Sequence, residues 1–182
     1  MANTKSRTRA TVNKDIVDQS VVSSEQISDS KPIVAKEIDP EQYVTVINGF
    51  QGQLVYKSPR TGEKFVWDKY GSEQEMQLRE LRNAKNTYKK YYINNWFMFN
   101  ENWVVDYLGV AQYYANTIPV DRFDEIFTKP ASEIEKILSN LSDGQKRSVA
   151  YRAGELIKNG DIDSRKTITT LEKCLNITLI DD

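Results

Sequence analysis

The sequence predicts an α+β fold in which a short N-terminal antiparallel β-meander packs on a C-terminal multi-helix unit, preceded by an extended disordered arm. Three observations lead to this prediction. All three Trp, ten Tyr and six Phe residues lie between Tyr43 and Tyr151, strand-prone runs fill residues 43–71, and capped helical patterns fill residues 132–176. Aromatic rings supply the apolar area that offsets chain entropy, so the ring-free start of the chain has little means of folding alone.

We therefore expect a flexible N-terminal arm, residues 1–42, and a single α+β domain, residues 43–182. The first fourteen residues of the arm are basic and contain no acidic residue, with Lys5, Arg7, Arg9 and Lys14. This tail has three interpretations: it lies on phosphate, it lies in an acidic protein groove, or it stays in water. The aliphatic pairs Val21-Val22 and Ile33-Val34 can bind a neighbouring subunit as an extended strap, or they can belong to a linker.

The first part of the domain has a β pattern. Residues 43–47, 53–57 and 64–67 are rich in Val, Ile, Tyr, Phe and Trp, and Asn48-Gly49 and residues 58–62 supply turn signals between them. Consecutive short strands with tight connections predict a meander. Because two or three strands alone are marginally stable, we expect this sheet to pack on the helices that follow it.

The next region, residues 72–128, is predicted to be helical and rich in aromatic residues. Ser72-Glu73-Gln74-Glu75 has the form of a capping box, and an apolar stripe follows it, made of Met76, Leu78, Leu81 and Ala84. Basic residues alternate with rings beyond that stripe, and they define a candidate nucleic-acid contact: Arg82, Lys85, Lys89 and Lys90. The alternative interpretation is that the rings form core and the lysine stems extend along it towards solvent.

The remaining helices follow from caps and periodicity. A short helix is expected from Trp103 to a glycine near its end, Gly109, and a second one from residue 120 to residue 127. A three-helix unit over residues 132–176 should begin its helices near Ser132, Ser142 and Ser164. Residues 177–180 are expected to form a short strand or a tail.

Composition argues against several classes of function. The formal net charge is −1, which indicates neither a strongly basic nucleic-acid binder nor an acidic mimic of DNA. Residues 143–182 contain seven basic and seven acidic residues, whereas a DNA-binding helix-turn-helix would need an excess of basic ones. The chain contains no His and one Cys, Cys174. We therefore expect no catalytic residue, no metal site, no cofactor and no membrane-spanning segment.

The order of motifs resembles that of a family of small, uncharacterised virion-associated proteins of tailed bacteriophages of low-GC hosts. The similar motifs are Tyr-Val-Thr-Val-Ile-Asn-Gly at 43–49, Leu-Val-Tyr at 54–56, Arg-Thr-Gly-Glu at 60–63, Trp67, Glu-Leu-Arg at 80–82, and the helical stretch 134–157 with Ser-Asp-Gly-Gln-Lys-Arg at 142–147. The resemblance covers about residues 43–175 and not the arm. It implies a phage-encoded, non-enzymatic component, and it does not specify head, connector or tail.

The sequence thus predicts a phage virion or assembly protein that binds other phage structural proteins, with its arm ordering on neighbouring subunits. We expect it in the virion, and in the host cytoplasm during assembly, and a homo-oligomer is compatible with this role. The aromatic residues expected to contact a partner, unless they belong to the core, are Tyr91, Tyr92, Trp96 and Trp103. The alternative is a phage regulatory protein that binds RNA polymerase or another enzyme, aided by nucleic-acid contacts.

Overall fold

The computed structural model describes residues 38–180, so most of the predicted arm, residues 1–37, lies outside the described residues. Four strands come first in the described chain, and helices with one further short strand follow them. Its strands are β1 Tyr43–Asn48, β2 Leu54–Lys57, β3 Lys64–Trp67, β4 Glu73–Gln77 and β5 Phe97–Met98. Its α-helices are α1 Leu78–Thr87, α2 Lys90–Ile93, α3 Asn102–Leu108, α4 Ala131–Asn140, α5 Asp143–Asn159 and α6 Arg165–Leu175. Two 3-10 segments, Ala111–Tyr113 and Val120–Thr128, precede α4, and the predicted α+β class is confirmed.

The strands do not pair in the consecutive order that the turn signals predicted. β1 lies at the centre of a three-stranded antiparallel sheet of order β4-β1-β5, and β2 pairs with β3 in a separate hairpin. Asn48 explains this arrangement, because its side-chain amide donates to the carbonyls of Gly52 (2.8 Å) and Lys69 (2.9 Å). The two ends of the hairpin are thereby joined at the end of β1, and the chain returns to pair with β1 only at β4.

The capping pattern at residues 72–75 does not begin a helix, because residues 73–77 form strand β4. Met76 lies opposite Val44 and both side chains are buried, while Glu75 on the solvent side accepts a hydrogen bond from Thr45 (Oγ1 to Oε1, 2.6 Å). Pairing with β1 thus outweighs the local capping signal. Helix α1 begins at Leu78, directly after the strand.

The first hydrophobic core lies between the sheet, the hairpin and helices α1 to α3. Its largest fully buried side chains include Trp67, Tyr56, Tyr92 and Phe97. Trp67 also satisfies its polar atom, since the indole Nε1 donates to the Val46 carbonyl at 2.8 Å. Three of the four residues of the predicted apolar stripe, Leu78, Leu81 and Ala84, lie on α1 and enter this core. The fourth, Met76, enters the core from strand β4 instead.

The second core lies among the Val120–Thr128 segment and helices α4 to α6. Two of the predicted caps are confirmed: the hydroxyl of Ser142 accepts from the Gln145 amide, and that of Ser164 accepts from the Thr167 amide. Helix α4 instead begins after Pro130, so Ser132 is a residue of its first turn and not its cap. Residues 177–180 form no strand.

The two cores meet where the first turn of α5 contacts the segment between α2 and β5. Gly144 lies so close to Asn94 that an added Cβ would come within 2.1 Å of its carbonyl oxygen. Beside it, the hydroxyl of Ser148 donates to the Gly49 carbonyl at 3.1 Å, and both atoms are buried. A helix residue without a side chain therefore permits this approach of backbone to backbone.

Candidate protein-binding surfaces

Two of the four aromatic residues expected to contact a partner lie inside the first core. Tyr92 is fully buried and donates its hydroxyl to the Leu81 carbonyl at 2.7 Å, and burial raises the pKa of its hydroxyl well above the usual value. Tyr91 is 9% exposed and donates to the Val55 carbonyl at 2.7 Å. Both side chains are satisfied within the fold, so the core interpretation holds for Tyr91 and Tyr92, and they do not form a partner surface.

The other two aromatic residues, Trp96 and Trp103, are half-buried at the edge of the same core. The Trp96 ring meets the Tyr91 ring edge to face, with centroids 5.4 Å apart, and the Lys90 ammonium lies 5.7 Å from its centroid. The Trp103 indole donates to the Glu101 carboxylate beside it. Each tryptophan is thus partly exposed and packs against the first core.

The candidate nucleic-acid-binding residues contact aromatic rings and one backbone carbonyl of their own chain. The Arg82 guanidinium lies 5.8 Å from the centroid of the Tyr107 ring, and the Lys89 ammonium lies 5.6 Å from that of Tyr113. Lys85 donates to the Leu108 carbonyl at 2.6 Å, at the C-terminus of α3, where a cation is favoured by the helix dipole. Lys90 lies apart from these three residues, over Tyr91 and Trp96.

Arg82, Lys85 and Lys89 form a basic face, and the pKa of a neighbouring tyrosine is lowered beside it. Hydrogen bonding to Lys89 and Gln112 lowers the pKa of the Tyr113 hydroxyl, and the charge of Lys85 adds to the effect. The structure therefore brings Arg82, Lys85 and Lys89 together beside two tyrosine rings, Tyr107 and Tyr113. It gives Lys85 a structural role, since removing this side chain would leave a helix carbonyl without its partner.

A groove between the Val120–Thr128 segment and α4 is a surface that the sequence did not predict. Its volume is about 680 Å³, and its lining combines apolar and charged side chains with the polar ones of Asn116, Thr117 and Asn140. The floor of the groove consists of its apolar residues, Ile118, Pro119, Ile126 and Ile137. Its rim has charged side chains of both signs, Arg122, Lys129 and Lys136 with Glu125 and Glu133. An open apolar channel with a charged rim is the form of a surface that receives a peptide segment.

The backbone at Arg122 and the position of Ile137 on α4 create this groove. Arg122 has φ −119° and ψ 20°, which interrupts the 3-10 segment. On α4, Ile134 and Leu138 are fully buried, but Ile137 is only half-buried and faces the groove. Ile137 therefore lies at the margin of the buried face of α4.

Residues 38–180 contain neither a cluster of metal-binding side chains nor a helix that could span a membrane. This part of the chain contains no group of three or more His, Cys, Asp or Glu side chains that could hold a metal ion. None of its helices combines the length and apolarity that crossing a bilayer requires. Its single cysteine, Cys174, is half-buried, and burial raises the pKa of the thiol.

A scan against protein-family models, a search of curated proteins and a search of solved structures each gave no match to this chain.

Proposed function

We propose that this protein is a non-enzymatic bacteriophage virion or assembly protein that acts through contacts with other phage structural proteins. The main support for protein binding is the groove along α4, an open surface with an apolar floor and a charged rim. The order of sequence motifs, which resembles that of virion-associated proteins of tailed phages, supports the phage setting. In this proposal the protein resides in the virion, and in the host cytoplasm during assembly.

The start of the described chain also supports binding through the N-terminal segment, residues 1–37. The chain is fixed just after this segment, because Gln42 donates to the Asp39 carbonyl and Arg79 forms an ion pair with Glu41 at 2.5 Å. A 37-residue chain spans at most about 120 Å when extended, whereas a domain of about 140 residues has a radius of gyration of roughly 14 Å. The segment is therefore long enough to cross a neighbouring subunit.

Affinity capture from infected cells tests this proposal. The tagged full-length protein is recovered after nuclease treatment, and the proteins that remain bound are identified by mass spectrometry. The proposal predicts capsid, portal or tail proteins, with reduced recovery for a groove variant, Lys129→Glu with Lys136→Glu. The matched control is Lys57→Glu with Lys64→Glu, which makes the same change of charge on the exposed hairpin and should leave recovery unchanged.

The alternative, a regulatory protein that binds RNA polymerase or another enzyme with help from nucleic acid, is favoured by the basic face beside Tyr107 and Tyr113. Cations next to exposed rings can hold phosphates and stack bases. The variant to test is Arg82→Glu with Lys89→Glu, since Lys85 has a structural partner. Recovery of polymerase subunits in the capture experiment, lost in this variant, would replace the structural proposal with the regulatory one.

A further inference from the structure

The groove along α4 has a basic excess, since three cations and two carboxylates line its rim. Among residues 38–180, Arg122, Lys129 and Lys136 form no ion pair, and the described ion pairs lie elsewhere: Arg79 with Glu41, Arg152 with Asp124 and Glu155, and Lys173 with Glu135. The floor between these charges is apolar, with Ile118, Ile126 and Ile137. The surface thus suits a segment that combines aliphatic side chains with carboxylates.

One stretch of the chain itself has this composition. Residues 15–30 contain four charged residues, all acidic, and no Lys or Arg. The acidic residues are Asp15, Asp18, Glu25 and Asp29, and the aliphatic ones are Ile16, Val17, Val21, Val22 and Ile27. The stretches on either side differ, because residues 1–14 are basic and residues 31–37 contain two lysines and one glutamate. Only residues 15–30 complement the rim of the groove in charge.

We infer that residues 15–30 of one copy bind in the α4 groove of a neighbouring copy. This inference rests on the proposed function and names the contact by which the N-terminal segment joins subunits. The aliphatic side chains lie on the isoleucine floor, and the carboxylates approach Lys129, Lys136 and Arg122. Val22 lies sixteen positions before Ile38, where the described chain begins, and this length of chain spans up to about 55 Å.

Such a contact is heterologous, because the segment of one copy meets the groove of the next. Heterologous contacts generate closed rings or open filaments, depending on the rotation between subunits. Both are assemblies that a virion component can form. Nucleic acid is a poorer occupant of the groove, since Glu125 and Glu133 on the rim repel phosphate.

A charge-reversal experiment with the full-length chain tests the inference by sedimentation velocity over a series of concentrations. The groove variant is Lys129→Glu with Lys136→Glu, and the segment variant is Asp15→Lys with Asp18→Lys. The unaltered chain should self-associate, and each variant alone should show a dissociation constant at least about tenfold higher, because two attractive pairs become repulsive. The hairpin control, Lys57→Glu with Lys64→Glu, should behave as the unaltered chain.

Mixing the two variants gives the decisive result. In an equimolar mixture, the intact segment of the groove variant meets the intact groove of the segment variant, and the reversed segment meets the reversed groove. Association should therefore return in the mixture, to within about threefold of the unaltered chain. The inference would be overturned if association did not return in the mixture. It would also be overturned if the unaltered chain stayed monomeric at its highest soluble concentration, as it would if each groove held the segment of its own chain.

This result is separate from the test of the proposed function. A protein that is captured with capsid or tail proteins but shows no rescue in the mixture retains its proposed function and loses this contact. If association returns in the mixture but the protein is captured only with polymerase subunits, the virion proposal is refuted. Self-association through the segment and the groove is still demonstrated in that case.

Discussion

Replacing Gly144 with alanine places a methyl group in the contact between α5 and Asn94, where the two cores meet. The added Cβ would lie 2.1 Å from the Asn94 carbonyl oxygen and 2.7 Å from its Cα. An ordinary contact between carbon and oxygen is about 3.3 Å or longer. The neighbouring atoms belong to backbone, so helix α5 or the Asn94 segment must move by roughly 1 Å.

Two effects of opposite sign decide the outcome. Overpacking a close contact costs about 1 to 3 kcal/mol, while a Gly to Ala change within a helix gains up to about 1 kcal/mol. Because the displaced atoms are backbone, we expect the strain to exceed the gain and the free energy of unfolding to fall by about 1 to 2 kcal/mol. For a domain of this size that corresponds to a melting temperature lower by roughly 3 to 8 °C.

Gly154 provides the matched control, since it lies in the same helix and an added Cβ there meets no atom within 4 Å. Gly154→Ala should raise the free energy of unfolding by about 0.5 to 1 kcal/mol. Both variants are compared by thermal and guanidinium unfolding, followed by circular dichroism. If Gly144→Ala were stabilised as much as Gly154→Ala, the close contact between the two cores would be refuted.

Three further predictions concern individual side chains. Ser142→Ala removes the cap of α5 and should lower the free energy of unfolding, measured by chemical denaturation, by about 1 kcal/mol. Ser132 lies in the first turn of α4 and makes no capping bond, so Ser132→Ala should change the free energy of unfolding by less than about 0.5 kcal/mol. Tyr56→Phe removes the hydroxyl that donates to the buried Glu80 carboxylate at 2.6 Å, and it should lower the free energy of unfolding by about 1 to 3 kcal/mol at neutral pH. Burial raises the pKa of Tyr56, Tyr92 and Tyr114 above the usual value near 10, so the unfolded chain releases these protons first and stability should fall as pH rises above about 10. Unfolding at a series of pH values checks the last of these, and a stability that is constant from pH 9 to 11 would contradict it.

The C-terminal helices were predictable because their signals are local. A serine cap, an apolar stripe of period 3.6 and a glycine at the end define α5, and the structure has each of them at Ser142, Val149 and Gly160. Glu73–Gln77 was not predictable in the same way. This strand has little intrinsic β propensity. It forms because Met76 and the backbone on either side of it pair with β1, about thirty residues earlier in the chain.

The candidate surfaces were less predictable than the fold, because burial depends on contacts between distant parts of the chain. Tyr91 and Trp96 have similar sequence surroundings, yet the first is buried against Val55 and the second reaches the surface. The α4 groove depends on the irregular backbone at Arg122 and on the half-buried position of Ile137. Neither property has a pattern in the sequence, whereas the positions of Arg82 and Lys85 on one side of α1 followed directly from helical periodicity.

Quantitative mass spectrometry of purified phage particles is the most direct test of the proposed role. Particles are separated from soluble protein on a density gradient, and the copy number of this chain is measured relative to the major capsid protein. The account predicts a fixed ratio across gradient fractions and preparations, and loss of the chain from particles when its groove carries Lys129→Glu and Lys136→Glu. Absence of the chain from particles, with all of it recovered in the soluble fraction, would contradict the account.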